Sequence, residues 1–453
     1  MDKYTRFSPR ASLALIGGWM QRMGIWDVVK QHVQIKQKEI KYTPWDKLLD
    51  ALINILAGGH GLVEVNTRVR SDEMLQQAFG RDGCAEQSTV SDTLNVCTEE
   101  NTHQMRQAVE EVFRRHSQAY RHDYKHCWQI VDVDMSGMPA GRKGEGVTKG
   151  YICGKKGQRG RQLGRVLATL HDEVVVDRLY SGKTQLERSL QELVTAAEEV
   201  LDLDFVRRPR TVVRVDGGGG RDADVNWLLE RGYHILIRVK NWKRSLKLAR
   251  SVTKWHLDPK MPGREVGWVE KPHTYVRPTR QLAIRKRKKD GSWHYRVLVF
   301  TLSDEMLFWL ARQPVPQAPT AAQIPLAATY AYDLRGGGVE TSIKSSKQGL
   351  GLTKRNKRRF AAQEMLVLLA QLAYNLVVWT RNELARQDSR LCQFGILRMV
   401  RDVFHIPGCF ELDAQGYVVS ITLNKAHPLA ASFVQTWAAV VARDGPVLNL
   451  GQI

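Results

Sequence analysis

Apolar positions recur along this chain at two different spacings, and the change from one to the other divides it. From Thr43 the sequence reads TPWDKLLDALINILAGG, where Trp45, Leu48, Leu49, Leu52 and Leu56 fall on one face of a helical repeat. Thr43 stands at the N-cap with Asp46 in the capping-box position, Pro44 suits the first turn and Gly58 the end. Two more helical runs follow, at about Thr89 to Cys97 with its own Thr-x-x-Asp box, and at about Asn101 to Ser117. At CWQIVDVDMSG the period shortens to two. Trp128 to Asp134 is apolar and β-branched enough for a central strand, and alternation puts Asp132 and Asp134 on one side of it.

RQLGRVLATL and EVVVDRLYSG, joined at His171 and Asp172, read as an antiparallel hairpin. Lys183 to Leu203 has the helical period, TVVRVDGGGG is a strand ending at Asp216, a helix runs from about Asp224 to Arg231, and YHILIRVK is a further strand. Three strands, helix, strand, helix, strand is the order of an RNase H-like mixed α/β sheet flanked by helices. After Asn241 the alternation stops. The segment to about Gln323 is basic, carries the strand-like WHYRVLVFTL and ends in a Pro-rich linker, so a β-rich insertion is expected there. RRFAAQEMLVLLAQLAYNLVVWTRNELAR is a long helix, apolar nearly all round at Leu366 to Val378, and has to pack on the sheet. The predicted organisation is a helical N-terminal domain (1–122), a core in two parts (123–240 and 326–405) around the insertion (241–325), and a C-terminal region (406–453).

Charge changes the picture more than composition does. The 453 residues are 43% hydrophobic and 25% charged, as in an ordinary globular chain, but 68 Lys and Arg against 47 Asp and Glu leave a net +21. Such a balance favours polyanions through long-range attraction and counterion release, which makes nucleic acid the expected partner. The excess concentrates between Asn241 and Phe300, with 16 Lys and Arg against 4 acids. With no apolar run of about 18 residues and no signal-like start, the expectation is no membrane and a cytoplasmic protein, in a cell without a nuclear barrier to explain. Six scattered cysteines without a CxxC pair offer neither a zinc ribbon nor a disulfide framework. His122 and His126 lead straight into a strand, which argues against a zinc site there.

Candidate chemistry lies in the acids. Asp134 and Asp216 close two strands, and an unpaired carboxylate at the end of a buried strand costs several kcal/mol unless bonded or bound to a cation. Asp132 competes with Asp134 for that role. Glu340 sits in YDLRGGGVETSIKSSKQGLGL, with Lys344 and Lys347 four and seven positions on, all on one face of a helix beginning near Val339. Three carboxylates can seat two hard divalent ions, which serve phosphodiester displacement. In the second block Asp222 and Asp224 read as helix-capping acids, and the four glycines as a tight turn.

These motifs together resemble the DDE transposases of bacterial insertion sequences, in the subgroup with a β-rich insertion and a Tyr-Arg-Glu-Lys signature around the third acid. Tyr332, Arg335, Glu340 and Lys347 supply that signature, with four residues, GGGV, where it has three between Arg and Glu. DVDMSG, VRVDGGGGRDADVNWLLERGYHILIRVK and LAYNLVVW resemble the family's first-acid, second-acid and closing-helix blocks, so the likeness covers about Trp128 to Arg381. The resemblance implies that Asp134, Asp216 and Glu340 hold two Mg2+ ions, with Mn2+ able to substitute. It further implies that Tyr332, Arg335 and Lys347, with Lys344 in addition, contact DNA. Cut-and-paste transposition by a homodimer on paired terminal inverted repeats, followed by attack on target DNA, is the implied activity. A catalytically silent DNA-binding protein and a stand-alone metal-dependent nuclease are the other readings.

Overall fold

The computed structural model describes residues 4–38, 41–441 and 446–453. After a short strand β1 (Thr5–Ser8), the N-terminal part is helical: α1 (Ala11–Arg22), α2 (Ile25–His32), α3 (Pro44–Leu56), α4 (Val65–Arg68), α5 (Glu73–Ala78), α6 (Gln87–Val96) and α7 (Glu99–His116). The capping box of α3 forms as its sequence predicts: the Asp46 amide donates to Thr43 Oγ1 at 3.1 Å and the Thr43 amide to Asp46 Oδ2 at 2.9 Å. The Thr89-x-x-Asp92 box caps nothing. Helix α6 starts earlier, with Glu86 at its N-cap, so Thr89 already lies inside the first turns.

The central sheet is built from β2 (Gln129–Pro139), β3 (Thr148–Ile152), β4 (Lys155–Ala168), β5 (Glu173–Ser181), β6 (Thr211–Val215) and β7 (His234–Arg238). β2 pairs antiparallel with β4 and parallel with β6; β4 pairs antiparallel with β5, and β6 parallel with β7. With β3, which pairs only with β4, set aside, third, second, first, fourth, fifth is the spatial order of the five core strands β2, β4, β5, β6 and β7, the RNase H-like arrangement expected from their chain order. Helices α8 (Leu186–Leu201) and α9 (Asp222–Glu230) make the crossovers.

Helix α10 (Trp242–Ala249) leads into β8 (His256–Leu257), β9 (Arg264–Trp268), β10 (Arg280–Arg287) and β11 (Trp293–Phe300). This segment is β-rich as expected, but it forms no separate sheet. β11 pairs with β7, so the insertion extends the core sheet to ten strands. α11 (Asp304–Leu310) and α12 (Gln323–Asp333) return the chain, and α13 (Thr341–Gly349) precedes the 26-residue α14 (Phe360–Ala385). A short turn of helix, α15 (Ile396–Arg398), then leads to β12 (Gly408–Leu412), β13 (Val418–Asn424), α16 (Ala430–Val441) and β14 (Val447–Gly451). β1 joins these late strands in a second sheet of order β1-β12-β13-β14, which sequence patterning did not predict.

α14 is long and apolar enough to cross a membrane, yet it is wholly enclosed, between β5 and the helices α3, α6 and α7. That setting explains an apolar surface nearly all round. Its few polar groups have a specific task. β5 is a sheet edge, and Asn375 exchanges two hydrogen bonds with the Val174 backbone, both 2.9 Å, while Gln371 serves the Asp177 amide at 3.2 Å and the Val175 carbonyl at 3.1 Å. Two side-chain amides thus stand in for a missing strand, covering an edge that would otherwise be exposed.

Candidate active site

Register decides which of the two acids on β2 is available. Asp132 stands opposite Arg214 on β6, and the guanidinium grips both its oxygens at 2.7 Å while Thr169 Oγ1 donates to Oδ2 at 2.6 Å. Fully buried and already paired to a guanidinium, Asp132 is closed to a ligand. Two residues on, past the last β6 partner, Asp134 lies on the same side of the sheet and receives only the Met135 amide and the edge of Arg335. Asp134 is the open carboxylate.

Asp216 follows β6 directly, on the same sheet face by alternation from Arg214. The Gly218 amide donates to its Oδ1 at 2.7 Å, and Arg238 Nη2 lies 3.8 Å from Oδ2. The glycine run there has a packing reason: a Cβ on Gly220 would come within 2.0 Å of the Arg238 carbonyl, so the turn after β6 passes directly beneath the end of β7. Asp222 and Asp224 sit within the first turn of α9 and do not cap it; Arg221 holds the N-cap without a side-chain bond. Asp222 instead pairs with Arg244 and His273, and Asp224 with Arg221 at 3.0 Å.

Between α12 and α13 the chain makes a wide turn, Gly336–Glu340, in which Gly338 leaves helical geometry at φ −91° and ψ −106°. Only glycine fits there, because a Cβ would meet Asp132 Oδ2 at 2.6 Å and Thr169 Cγ2 at 2.9 Å. The turn sets Glu340 beside Arg335. Arg335, 3% exposed, reaches Glu340 Oε1 with Nη1 at 2.8 Å and Asp134 Oδ2 with Nη2 at 3.2 Å, and Nη2 also donates to the Val133 carbonyl. One guanidinium thus bridges the first and third acids. Burial would lower its pKa, but Asp134, Tyr332 and Asp216 outweigh that and raise it.

The electrostatics show a surplus of negative charge at this point. Burial pushes the Asp134 carboxyl up to about 6 against the pull of Arg335, and the neighbouring Asp216 and Glu340 carboxylates push the same way. Tyr332, half-buried, is raised chiefly by burial and stands among Arg238, Arg335, Asp216 and Arg296. It opens on a groove of about 490 Å3 lined by Arg264, Ile284, Lys286, His294 and Arg296. Lys347 turns inward from α13, donating to Ser136 Oγ at 2.6 Å and to the Gly137 carbonyl at 3.1 Å; burial lowers its pKa. Lys344 points to solvent on the same helix. The structure therefore gathers Asp134, Asp216, Glu340, Tyr332, Arg335 and Lys347 in one region and leaves Lys344 on its outer rim.

Two residues here escaped the sequence reading. Arg214 spends Asp132, and Arg165, fully buried, is held by Asp177 at 2.6 Å and 2.8 Å and reaches from β4 to Ser346 Oγ of α13 at 2.8 Å. A signal for Arg214 existed: DVD on one strand and RVD on its parallel neighbour match acid to base at one position and leave acid beside acid two residues later.

Whether these residues suit a divalent cation follows from their chemistry. All three are hard oxygen donors, and Asp134 is held protonated more easily than usual by burial and, less, by its two acidic neighbours, a penalty that a cation among them relieves. The donor set fits. Among the described residues, however, no three such groups close into a ready metal cage, and the cation now between Asp134 and Glu340 is Arg335 itself.

Residues 125–376 match the family model described as "Transposase DDE domain". No curated protein matches the chain. Among solved structures, the chain is similar to piggyBac transposase in its synaptic complex with hairpin DNA, with 12% identity, a TM-score of 0.47, and coverage of 85% of this chain and 79% of that one.

Proposed function

The chain belongs to the transposase DDE domain family, and from that premise we propose that it is an active transposase, cutting DNA at the terminal inverted repeats of an insertion sequence and joining the freed ends to target DNA. The carrying observation is the convergence of Asp134, Asp216 and Glu340 on one sheet face, with Asp132 excluded by Arg214.

In this reading Asp134, Asp216 and Glu340 hold two divalent ions, Mg2+ by preference with Mn2+ accepted. Bound there, the ions supply activation of the attacking oxygen and stabilisation of the leaving one. The chain's own residues do the rest. Asp134 sits on the rigid central strand and fixes the position of the scissile phosphate. Arg335 holds Glu340 in place until substrate arrives, and its guanidinium then has phosphate oxygens as alternative partners. Tyr332 and Lys347 flank the acids and orient the strand, and Lys344 adds a charge at the rim. Two chains pair on two DNA ends, so that both cuts and both joinings occur in one assembly. A DNA binder without catalysis has no use for three carboxylates turned toward phosphate.

The test is cleavage of duplex carrying the element's terminal repeat, with and without Mg2+. Asp134→Asn, Asp216→Asn and Glu340→Gln each lower the rate by about a thousandfold or more while binding persists, as expected when the electrostatic groups of the transition state are lost. Normal cutting by two of these variants overturns the assignment. Cutting without joining to a second duplex marks a nuclease instead.

A further inference from the structure

Residues 141–160 carry Arg142, Lys143, Lys149, Lys155, Lys156 and Arg159 against a single acid, Glu145. Glu145 is committed elsewhere: its Oε2 accepts the Phe360 amide at 2.8 Å, at the start of α14. None of the six basic side chains forms an ion pair with a described residue. This is the hairpin of β3 and the first half of β4, and its register sorts the charges. Lys149 pairs with Arg159 and Tyr151 with Lys156, so Lys149, Arg159, Tyr151 and Lys156 share one face of a two-stranded ribbon. Tyr151 is 64% exposed on it. The opposite face pairs Thr148 with Gly160, Gly150 with Gln158 and Ile152 with Lys155, and Ile152 is buried over Gly137.

The ribbon's place is as informative as its charge. β4 runs on from the hairpin to lie opposite Asp134, whose partner is Arg165, and Arg159 shares the alternation of Arg165. The basic face is therefore on the acid side of the sheet. At the hairpin's turn the Cys153 thiol donates to the Gly137 carbonyl, the same carbonyl that accepts from Lys347. Across the acids, alternation puts Arg238 on β7, Arg296 on β11 and Lys286 on β10 on the same sheet face. Basic surface thus extends to both sides of the three carboxylates, and a duplex is far longer than its scissile phosphate.

We propose that the β3–β4 ribbon is a second DNA-holding surface, gripping the duplex arm that leaves the acids on the side away from the β8–β11 insertion. This rests on the reading of the chain as a transposase and adds a contact that reading does not contain. A two-stranded ribbon fits a major groove about 12 Å wide. Lys149, Lys156 and Arg159 face the phosphates, and Tyr151 lies against the groove wall or a sugar.

The experiment measures binding of a fluorescent duplex of about 30 bp and arbitrary sequence, and of one of its single strands, across a salt series. Lys149→Ser/Lys156→Ser/Arg159→Ser weakens duplex binding roughly tenfold or more near 0.1 M salt and lowers the log–log salt slope by about 2 to 3, at about 0.9 per lost phosphate contact. Lys149→Ser/Lys156→Ser, at two exposed positions, gives a smaller loss in the same direction and serves should the triple variant fold poorly. Unchanged affinity and slope in both variants, with an unchanged thermal midpoint, overturn the proposal. An equal loss on the single strand overturns the duplex assignment. A wild-type chain that binds no duplex at all defeats the transposase reading instead, which keeps the two failures apart.

Discussion

Arg335 and Glu340 lie five residues apart and are joined at 2.8 Å. On a regular α-helix five residues leave two side chains about 140° apart, too far around the axis for such a pair. The turn at Gly336–Glu340 takes up the extra residue and brings them together, in the manner of a π-bulge, and its floor is Gly338 pressed on Asp132. An interval that departs from the expected signature is thus accommodated by local geometry.

Gly338 and Gly337 are expected to differ sharply. Gly338→Ala forces a Cβ onto Asp132 and Thr169, costs about 1–3 kcal/mol in urea unfolding, and displaces Glu340 enough to depress cleavage. Gly337→Ala has open space around its new Cβ and stays within about 0.5 kcal/mol. Equal tolerance at both positions contradicts the close packing described.

Divalent ions are expected to stabilise the folded chain. At pH 7, Mg2+ or Mn2+ at ten times its dissociation constant adds about 1.4 kcal/mol and raises the thermal midpoint; a chelator reverses the gain. Asp134→Asn/Asp216→Asn loses this response. A shift of the same size in the double variant means that the ion binds elsewhere.

His171 sets a pH limit on stability. It meets His122 at 3.0 Å, and burial, with His122 adding to it, lowers its pKa to about 4. The unfolded chain takes the proton near pH 6.5, so the stabilising contribution is complete above that pH and is lost as pH falls toward 4, by up to roughly 3 kcal/mol. Urea unfolding of His171→Gln at pH 7 and pH 5 should show a smaller drop than wild type. Identical drops in the two proteins refute the assignment.

How far the sequence discloses this molecule depends on the range of the interaction. The Thr43 cap, the alternation of β2 and β6 and the apolar belt of α14 are local patterns, and each was readable. Asp134 is favoured over Asp132 in the sequence only by the family pattern of the residues that follow it; the physical reason is Arg214, eighty-two residues from Asp132. Arg165 stayed hidden for the same reason, as its partners Asp177 and Ser346 come from two other elements. The second sheet was missed because β1 is four residues long and its partner lies some four hundred positions downstream. The insertion read as a unit of its own because its charge changes abruptly, whereas its backbone continues the core sheet through β11.

That late partner of β1 imposes an order on the making of the protein. Thr5–Ser8 is made some four hundred residues before Gly408–Leu412, and its backbone finds no match until that later segment has been translated. A growing polypeptide can already hold all three acids while its opening segment still hangs unpaired. Closure of this sheet waits for that later segment, and a fusion placed ahead of Thr5 would sit against strands made about four hundred residues after it.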